Sequence, residues 1–439
     1  MKLSGWGRFP RVESRLVTAR DQDDAVRAVA GGGPLIARGN GRAYGDAAIG
    51  PRTTLSLLGM DRMLGFDPDS GVLTCEAGVL LRDILGVFVP RGWFPPVTPG
   101  TKMVTVGGMI AADVHGKNHH AAGSFGDHVD SLDLLLADGR VVTCGPNRAP
   151  ELFAATRGGM GLTGVILRAS FRLIPVETGY IRQETLRADD LAGIMAMFED
   201  SAGWTYSVAW IDCLAKGPRM GRSLLFRGEH ARLDELPAAA RARPLDVTLR
   251  RARTVPFDVP AIALNRLSVG AFNALYWRLG TPREELIDYD RFFYPLDSLL
   301  EWNRIYGRPG FTQYQCVLPL STSADGLRAL LSAIGAAGNA SFLAVLKLFG
   351  RQDGLMSFPM EGYTLALDFP ASTATLGLLL DLDAIVADHG GRLYLAKDAR
   401  MGAALLRRGY PGLDGFQALR AAHGLAAVFR SVQSERLGL

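Results

Sequence analysis

The sequence predicts an α+β protein of two domains, the second of which carries an antiparallel sheet. Three observations lead to this fold class. The chain has 439 residues, more than a single hydrophobic core usually serves. Hydrophobic residues make up 48% and charged residues 21%, which is ordinary for a globular protein. Apolar runs with the period of strands alternate with short stretches of helical period, and their character changes near residue 178.

Composition and charge exclude several classes of function. The net charge is only +4 and no run of basic residues suggests a face that follows DNA, so a nucleic-acid partner is not expected. The wide spacing of the cysteines argues against a zinc site or a disulfide framework and predicts buried, reduced thiols. The cysteines are Cys75, Cys144, Cys213 and Cys316.

No segment is expected to cross a membrane or to direct secretion. The first eight residues lack the apolar stretch of a secretory signal. The most apolar window, 79–94, is interrupted by Arg82, Asp83 and Arg91, whereas a transmembrane helix needs about 18 uncharged apolar residues. We therefore expect a cytoplasmic protein with at most peripheral membrane contact, and a periplasmic location stays open.

The pattern of residues 1–177 predicts mixed strands and short helices. Apolar residues at helical spacing predict helices over 21–29, 80–88 and 151–156. Runs rich in apolar and β-branched residues predict strands over 34–38, 53–58, 72–76 and 165–174. Asp138-Gly139 predicts a hairpin that pairs 132–136 with 141–143. With a tail from about residue 390 to 439, this part is expected to form the first domain.

Residues 178–389 are expected to form the second domain. Strands are predicted over 207–212, 311–318, 342–349 and 363–369. Helices are predicted over 324–337 and 372–389, the latter with Ser372 as its N-cap. The segment 218–260 is rich in Arg, Pro and Ala without clear periodicity, which predicts a long excursion over the surface or the mouth of a pocket.

Two glycine-rich loops are candidates for close contact with a ligand. Gly39, Gly41 and Gly45 are spaced so that successive backbone N–H groups could converge on an anion, although a plain tight turn would look the same. The segment 159–164 matches GxGxxG, but a β-rich run beginning at Val165 follows it instead of a helix. That order argues against a Rossmann dinucleotide turn and favours close packing beside a cofactor.

The segment 99–120 combines close-approach glycines, a β-branched run, three histidines and two lysines. Such a polar cluster is not typical of a strand in a hydrophobic core. His115, His119 and His120 could bind a metal, could be structural, or could include an active-site group. Gly116 and Asn118 argue against a helix that would align metal ligands, and no carboxylate stands at a familiar metal spacing; we expect no metal.

Several segments in matching order resemble the vanillyl-alcohol-oxidase-type, PCMH-type FAD-binding flavoproteins. Within that superfamily the chain resembles most closely the flavin subunits of enzymes that epimerise a polyprenylphosphoryl ribose at C2′. The resemblance covers nearly the whole chain. It is carried by residues 3–8, 37–46, 99–120, 123–126, 206–210, 302–304, 313–315, 347–350, 357–359, 368–370 and 391–398.

The resemblance implies that the first domain binds FAD. Many relatives attach the flavin covalently through a His in the first glycine loop; Arg42 stands there in this chain, so non-covalent FAD is expected. The positions implied in cofactor binding are Arg38, Gly39, Asn40, Gly41, Arg42, Ala43, Tyr44, Gly100, Thr105, Val106, Gly107, Gly108, Ala112, Asp113, Val114, His115, Ile166 and Tyr394.

The resemblance also implies a reaction and its residues. The 2′-hydroxyl of a polyprenylphosphoryl-β-D-ribose would be oxidised to a 2′-keto sugar, the first half of epimerisation to the arabinose donor for the cell wall, with a short-chain reductase as partner. Lys397 would bind the reacting hydroxyl and assist its proton loss, with Tyr44 and His115 close by. The implied substrate-binding positions are Lys117, Phe293, Gln315, Lys347, Thr364 and Ala366.

Three of these positions depart from the pattern of the close relatives. Ala366 replaces the Cys that covalent nitroaromatic inhibitors attack, Thr364 replaces an Asn, and Phe293 replaces a Tyr. These changes leave the exact substrate open. An oxidase of a free aldose, alditol or sugar lactone and a non-catalytic flavin-binding subunit are the alternatives. From the residues alone, Lys347 and Lys397 could also be surface ion-pair partners, although the apolar run before Lys397 favours a pocket, and Gln315 could be structural.

Overall fold

The computed structural model describes residues 1–260, 265–338, 341 and 343–439. The strands, in chain order, are β1 (Lys2–Ser4), β2 (Arg11–Glu13), β3 (Arg15–Thr18), β4 (Leu35–Arg38), β5 (Thr53–Ser56), β6 (Met63–Asp67), β7 (Val72–Glu76), β8 (Trp93–Phe94), β9 (Val129–Leu135), β10 (Val141–Cys144), β11 (Val165–Arg172), β12 (Ile174–Pro175), β13 (Tyr180–Ala188), β14 (Tyr206–Ile211), β15 (Ser223–His230), β16 (Arg253–Thr254), β17 (Arg283–Asp288), β18 (Leu299–Leu300), β19 (Phe311–Pro319), β20 (Ala344–Phe349), β21 (Gly362–Pro370) and β22 (Arg392–Leu393).

The α-helices are α1 (Gln22–Ala30), α2 (Leu81–Phe88), α3 (Val106–Ala111), α4 (His119–Ala122), α5 (Pro150–Thr156), α6 (Leu191–Glu199), α7 (Ala238–Arg241), α8 (Arg266–Leu279), α9 (Tyr289–Phe293), α10 (Ser323–Ala337), α11 (Thr373–Asp388), α12 (Ala403–Gly409), α13 (Leu413–Ala422) and α14 (Val432–Leu437). The mixture of these helices with antiparallel sheets confirms the predicted α+β class.

Two sheets organise the N-terminal half. A three-stranded parallel sheet has the order β3-β5-β4, and a five-stranded antiparallel sheet has the order β10-β9-β11-β7-β6. The α1 helix starts where the Asp21 carboxylate accepts from the N–H of Asp24, a normal N-cap. The loop that leaves β4 at Arg38 is the first glycine loop, so the parallel sheet positions this loop.

An eight-stranded antiparallel sheet organises the C-terminal half, in the order β17-β13-β15-β14-β20-β21-β19-β22. Its two faces have different neighbours because side chains alternate along each strand. One face, which includes Ile211, Cys316 and Leu365, belongs to the hydrophobic core that contains residues of α6, α10 and α11. The alternate residues border a cavity toward the N-terminal half. The predicted N-cap Ser372 accepts from the N–H of Thr375.

Most predicted elements are present, and one interpretation is wrong. The segment 218–260 is not wholly a surface excursion, because β15 lies inside it and pairs with β13 and β14. The run Leu224-Leu225-Phe226 is buried or half-buried in the sheet, and the arginines around it conceal its strand character. The predicted start of a strand at Phe342 lies outside the described residues, and the strand is found from Ala344.

Candidate active site

A cavity of about 600 Å³ lies between the first glycine loop, α3 and the inner face of the eight-stranded sheet. Most predicted site residues border it. They are Gly39, Asn40, Gly41, Arg42, Ala43, Tyr44, Gly100, Thr105, Gly107, Gly108, Ala112, Val114, His115, Lys117, Ile166, Phe293, Gln315, Lys347, Thr364, Ala366, Tyr394 and Lys397.

The first glycine loop presents backbone donors to this cavity. The N–H groups of the consecutive residues 39–43 find no hydrogen-bond acceptor among the described parts of the chain. Gly41 has φ +63°, a left-handed conformation that favours glycine. A Cβ at Gly41 would lie 2.3 Å from Arg38 Nη2, so the glycine also leaves room for the guanidinium that donates to the carbonyl of Ser4. Consecutive unpaired N–H groups form a cradle for an anion such as phosphate.

The α3 helix starts at the cavity wall. Thr105 caps it, since its hydroxyl accepts from the N–H of Gly108 at 3.3 Å. A Cβ at Gly39 would lie 2.1 Å from Thr105 Oγ1, so the first glycine loop and the start of α3 are in direct contact. The sequence did not predict this helix, because two glycines in six residues give a low helix propensity.

The sheet contributes alternate residues of neighbouring strands. Gln313 and Gln315 of β19, Lys347 of β20, and Thr364 and Ala366 of β21 all border the cavity. The period of two places their side chains on one face. This placement shows that the polar residues of these otherwise apolar strands meet at one site.

His115 is buried between this sheet and aromatic rings. The Gln315 amide nitrogen lies 3.1 Å from His115 Nε2 and also donates to Thr364 Oγ1. The amide can only donate, so Nε2 is the acceptor and the proton of the neutral ring is on Nδ1. Burial, with Lys347, His119 and Lys397 nearby, holds the pKa of His115 well below its ordinary value. His115 Nδ1 has no partner among the described residues and is available to a ligand.

Three lysines border the cavity, and each is half-buried. Burial lowers the pKa of Lys117 to about 7, with Lys347 nearby, and that of Lys347 to about 8. The Lys117 ammonium donates to the carbonyl of Phe292. Burial also lowers the pKa of Lys397 to about 7, while the charge of Asp368 opposes this shift. Within the described chain none of the three forms a salt bridge, so the ion-pair interpretation of Lys347 and Lys397 fails.

Asp368 is a buried carboxylate of this site that sequence reasoning did not assign to any role. It receives a 2.5 Å hydrogen bond from the Gln313 amide. Burial raises the pKa of Asp368 to about 7, and the Gln313 bond and the charge of Lys397 oppose the rise. The position follows Thr364 and Ala366 at a spacing of two on β21, and this periodicity could have revealed it.

Tyr44 stands beside Lys397. The Lys397 ammonium lies 3.8 Å from the centroid of the Tyr44 ring, within the range of a cation–π contact. Burial, together with the charge of Asp368, raises the pKa of Tyr44 well above its ordinary value, so the phenol stays protonated. Lys397 is held by a turn in which its N–H donates to the carbonyl of Tyr394, and the strand before this turn, β22, ends at Leu393.

Three predicted cofactor residues, Arg38, Val106 and Asp113, do not border the cavity. The Asp113 carboxylate accepts from the Ser357 hydroxyl and from the N–H of Gly126, which is a structural role. Val106 is fully buried in the hydrophobic core. The Arg38 guanidinium supports the first glycine loop from behind through its bonds to the carbonyls of Ser4 and Ala48.

The far end of the cavity is apolar. Its wall includes Val208 and Trp210 of β14, Phe226 of β15, and Phe272 and Tyr276 of α8. The rings of Trp210 and Tyr276 pack edge to face at 4.9 Å. None of these residues was predicted to lie at the site: β15 and α8 were not predicted, and the predicted strand 207–212 gave no sign of which of its residues face a cavity.

The histidine cluster does not form a metal site. Among the described residues no group of three or more His, Cys, Asp or Glu side chains is arranged to hold a metal ion. His119 and His120 have other partners, the side chain of Gln352 and the carbonyl of Trp204 respectively.

None of the helices in the described parts of the chain has the length and hydropathy required to span a membrane.

Comparison with known proteins places these features in context. Residues 14–145 match the family model of an FAD binding domain. The chain is 38% identical to decaprenylphosphoryl-beta-D-ribose oxidase of Mycolicibacterium smegmatis, over 100% of this chain and 97% of the relative. It is 38% identical to an uncharacterized protein in the mprA 5′ region of Streptomyces coelicolor, over 82% of this chain and all of that protein. The chain is also 30% identical, over 37% of its length, to L-gulonolactone oxidase of Mus musculus.

Proposed function

The chain belongs to the family of decaprenylphosphoryl-β-D-ribose oxidases, and from this membership we propose that it oxidises the 2′-hydroxyl of a polyprenylphosphoryl-β-D-ribose to the 2′-keto sugar. It is an FAD-dependent oxidoreductase that acts on a CH–OH group. Its reaction is the first half of an epimerisation that leads to the arabinose donor.

The observation that carries the choice of substrate is the unpaired positive charge of the cavity. Lys117, Lys347 and Lys397 face it, none has a salt bridge within the described chain, and Asp368 is the carboxylate that acts on Lys397. Burial lowers the pKa values of Lys117 and Lys347, and a nearby anion would raise them again and restore the charge of these two lysines. A sugar phosphodiester supplies that anion, whereas a free aldose, an alditol or a lactone does not.

The first glycine loop fits the FAD cofactor. Its unpaired N–H groups at residues 39–43 suit a pyrophosphate, and Arg42 lies beside them with an Nε that has no partner in the described chain. The Arg42 guanidinium stacks 3.9 Å from the centroid of the Trp6 ring and offers no nucleophile for a covalent bond. We therefore propose non-covalent FAD, which when bound supplies the hydride acceptor.

Lys397 takes the proton in this proposal. As the hydride leaves C2′, the hydroxyl proton passes to Lys397 Nζ, and the C–O single bond becomes the carbonyl. A pKa of about 7 leaves a large share of this amine neutral near neutral pH, as a general base requires. Tyr44, which remains protonated, orients the lysine through its ring. The Nδ1–H of His115 is a donor for a sugar oxygen.

The remaining polar residues hold the substrate. Lys117 and Lys347 would bind the phosphodiester, and Gln315 would fix both His115 and Thr364. Ala366 and Phe293 would pack against the sugar from the sheet and from α9.

We further propose that residues 1–177 with 390–439 form the FAD-binding domain and that residues 178–389 form the substrate-binding domain. A short-chain reductase would complete the epimerisation, at a cytoplasmic, membrane-associated location.

Anaerobic reduction of the bound flavin tests the proposal. We expect a polyprenylphosphoryl ribose with a short prenyl chain to bleach the flavin absorbance, and ribose or a sugar lactone at equal concentration to leave it oxidised. The matched ligand control is the same prenyl phosphate without the sugar, which should compete without bleaching. Bleaching by ribose or by a lactone, with release of hydrogen peroxide and no effect of the phosphodiester, would instead identify an oxidase of free sugars.

A further inference from the structure

Helix α8 carries a row of apolar side chains on its outer side. Val269 and Asn273 are its buried residues, and the Asn273 amide attaches it to Asp212 at 2.8 Å. Residues four apart lie on one side of a helix, and the outer row consists of Leu267, Ala271, Leu275 and Leu279. The three leucines are 84%, 58% and 67% exposed. We name this row the leucine ridge.

Helix α8 and the segment that precedes it in the chain are rich in arginine. Residues 241–280 contain seven arginines, two aspartates, no lysine and no glutamate. Arg266 and Arg278 lie on α8 itself and are exposed, without an ion pair to any described residue. The segment that precedes the helix contains three more exposed arginines, Arg250, Arg251 and Arg253. A surface of leucines in which arginines outnumber acidic residues is complementary to anionic lipid headgroups.

The leucine ridge is continuous with the active-site cavity. Phe272 and Tyr276 belong to the same helix and border the apolar end of that cavity. Their rings stack at 5.7 Å, and both side chains are partly exposed. One face of α8 therefore forms the cavity wall, while the adjoining face forms the ridge.

We propose that the leucine ridge docks the protein on an anionic lipid bilayer, with the apolar end of the cavity next to the bilayer surface. An amphipathic helix with leucines on one side and arginines at its flanks lies in the membrane interface. The proposal rests on the proposed function in one respect: a prenyl chain that remains in the bilayer would reach the sugar site along Trp210, Phe226 and Tyr276. Docking itself requires no turnover.

Sedimentation with lipid vesicles tests docking apart from catalysis. The full chain with its flavin would be mixed with vesicles of phosphatidylcholine, with or without phosphatidylglycerol, and no sugar substrate. We expect binding to the anionic vesicles, and a loss of about tenfold or more in the partition coefficient for the triple variant Leu267→Ser, Leu275→Ser, Leu279→Ser, because burial of each leucine contributes to binding. Leu380→Ser, at an equally exposed leucine of α11, is the matched control and should bind normally.

A second variant separates charge from apolar contact. Arg266→Gln with Arg278→Gln should weaken binding to anionic vesicles and make it less sensitive to salt. The single variant Leu275→Ser should show a smaller loss than the triple variant, and each variant should keep its flavin and its reduction by a short-chain substrate.

Unchanged vesicle binding of the triple variant, or no binding of the unmodified protein, would overturn the proposal. A dimer that the triple variant converts to a monomer, with no vesicle binding by either, would show that a second copy of the chain covers the ridge instead. Failure of sugar oxidation with intact ridge-dependent vesicle binding would refute the proposed function and leave docking standing.

Discussion

The surroundings of Lys397 make its amine less basic than that of an exposed lysine. Removal from water disfavours the ammonium form, the neighbouring Lys347 acts in the same direction, and the carboxylate of Asp368 acts against both. Burial and Lys347 together outweigh Asp368, so the pKa of Lys397 falls to about 7 and the amine can exchange a proton near neutral pH. The lysine is also held in place, since its ammonium packs over Tyr44 and its backbone forms a turn.

Replacement of this lysine should separate cofactor binding from chemistry. Lys397→Ala should retain its flavin and fold but lose about 10²-fold or more of the rate of flavin reduction, since a general base contributes at least about that factor. Anaerobic stopped-flow absorbance measures the rate. The exposed Lys216 supplies the control, Lys216→Ala, which should reduce its flavin normally. If the Lys397 variant reduced its flavin at nearly the original rate, His115 or Tyr44 would be the candidate for the group that accepts the hydroxyl proton.

The rate of flavin reduction should depend on pH in a defined direction. Lys397 accepts a proton only when neutral, so the rate should rise with pH through about 7 and then level off. In Asp368→Asn the charge that raises the lysine pKa is absent, so the inflection should move to lower pH. A structural role of Asp368 alone would lower the rate without moving the inflection, and an unchanged pH profile would contradict the coupling.

Single residues of the site were partly predictable from the sequence. His115, Lys117, Lys347 and Lys397 stand out because basic side chains interrupt apolar or glycine-rich segments, while their roles followed from the resemblance to a known family. Asp113 shares that setting, yet its carboxylate bonds Ser357, and no local pattern distinguishes the two outcomes. The direction of a side chain depends on residues far away in the chain, which sequence spacing does not report.

The elements that form the site owe their stability to tertiary contacts more than to local propensity. Helix α3 has six residues with two glycines, and a Cβ at Gly107 would lie 2.9 Å from that of Ala77, so glycine is needed for close packing. Strand β15 and helix α8 lie in Arg-rich sequence that obscures their periodicity. Longer elements with regular patterns, such as α10, α11 and β19, were predictable because their apolar spacing alone defines the buried face.

The first glycine loop provides a test at the scale of an element. Gly41→Val would strain a left-handed backbone position and displace the Arg38 guanidinium, so we expect weakened FAD binding and a lower melting temperature. Gly139→Val is the matched control. Gly139 also has a positive φ, +84°, but a side chain at this position would meet open space. The control should lose about 1 kcal/mol of stability and keep its flavin. Full flavin occupancy of the Gly41 variant would mean that this loop does not cradle the cofactor.

At the scale of the whole molecule, Arg436 of α14 joins distant parts of the chain. Its guanidinium donates to Asp46 Oδ1 and to Asp398 Oδ2, each at 2.8 Å. Asp46 ends the first glycine loop, and Asp398 follows Lys397. Gln433 of the same helix also donates to Asp398. The helix thereby fixes the first glycine loop relative to the turn that carries Lys397.

Removal of this guanidinium should destabilise the protein and loosen the site. Arg436→Gln leaves two buried carboxylates without a countercharge, which should cost about 3 kcal/mol of unfolding free energy. The loss, measured by chemical denaturation, should be smaller at acidic pH, since protonated carboxyl groups need no countercharge and burial already raises the pKa of Asp46. Arg407→Gln, at an exposed ion pair with Asp414, should change stability by less than about 1 kcal/mol. Equal stability of the two variants would contradict the bridging role.

The bridge through Arg436 also bears on how the protein acquires its cofactor during synthesis. Asp46 leaves the ribosome 390 residues before its partner, and the turn that carries Lys397 emerges late as well. A nascent chain therefore carries the glycine loop for most of its translation without the helix that braces it. We therefore expect flavin capture to be a late step that follows the emergence of α14, and a ribosome stalled before that point to hold a chain that retains FAD poorly.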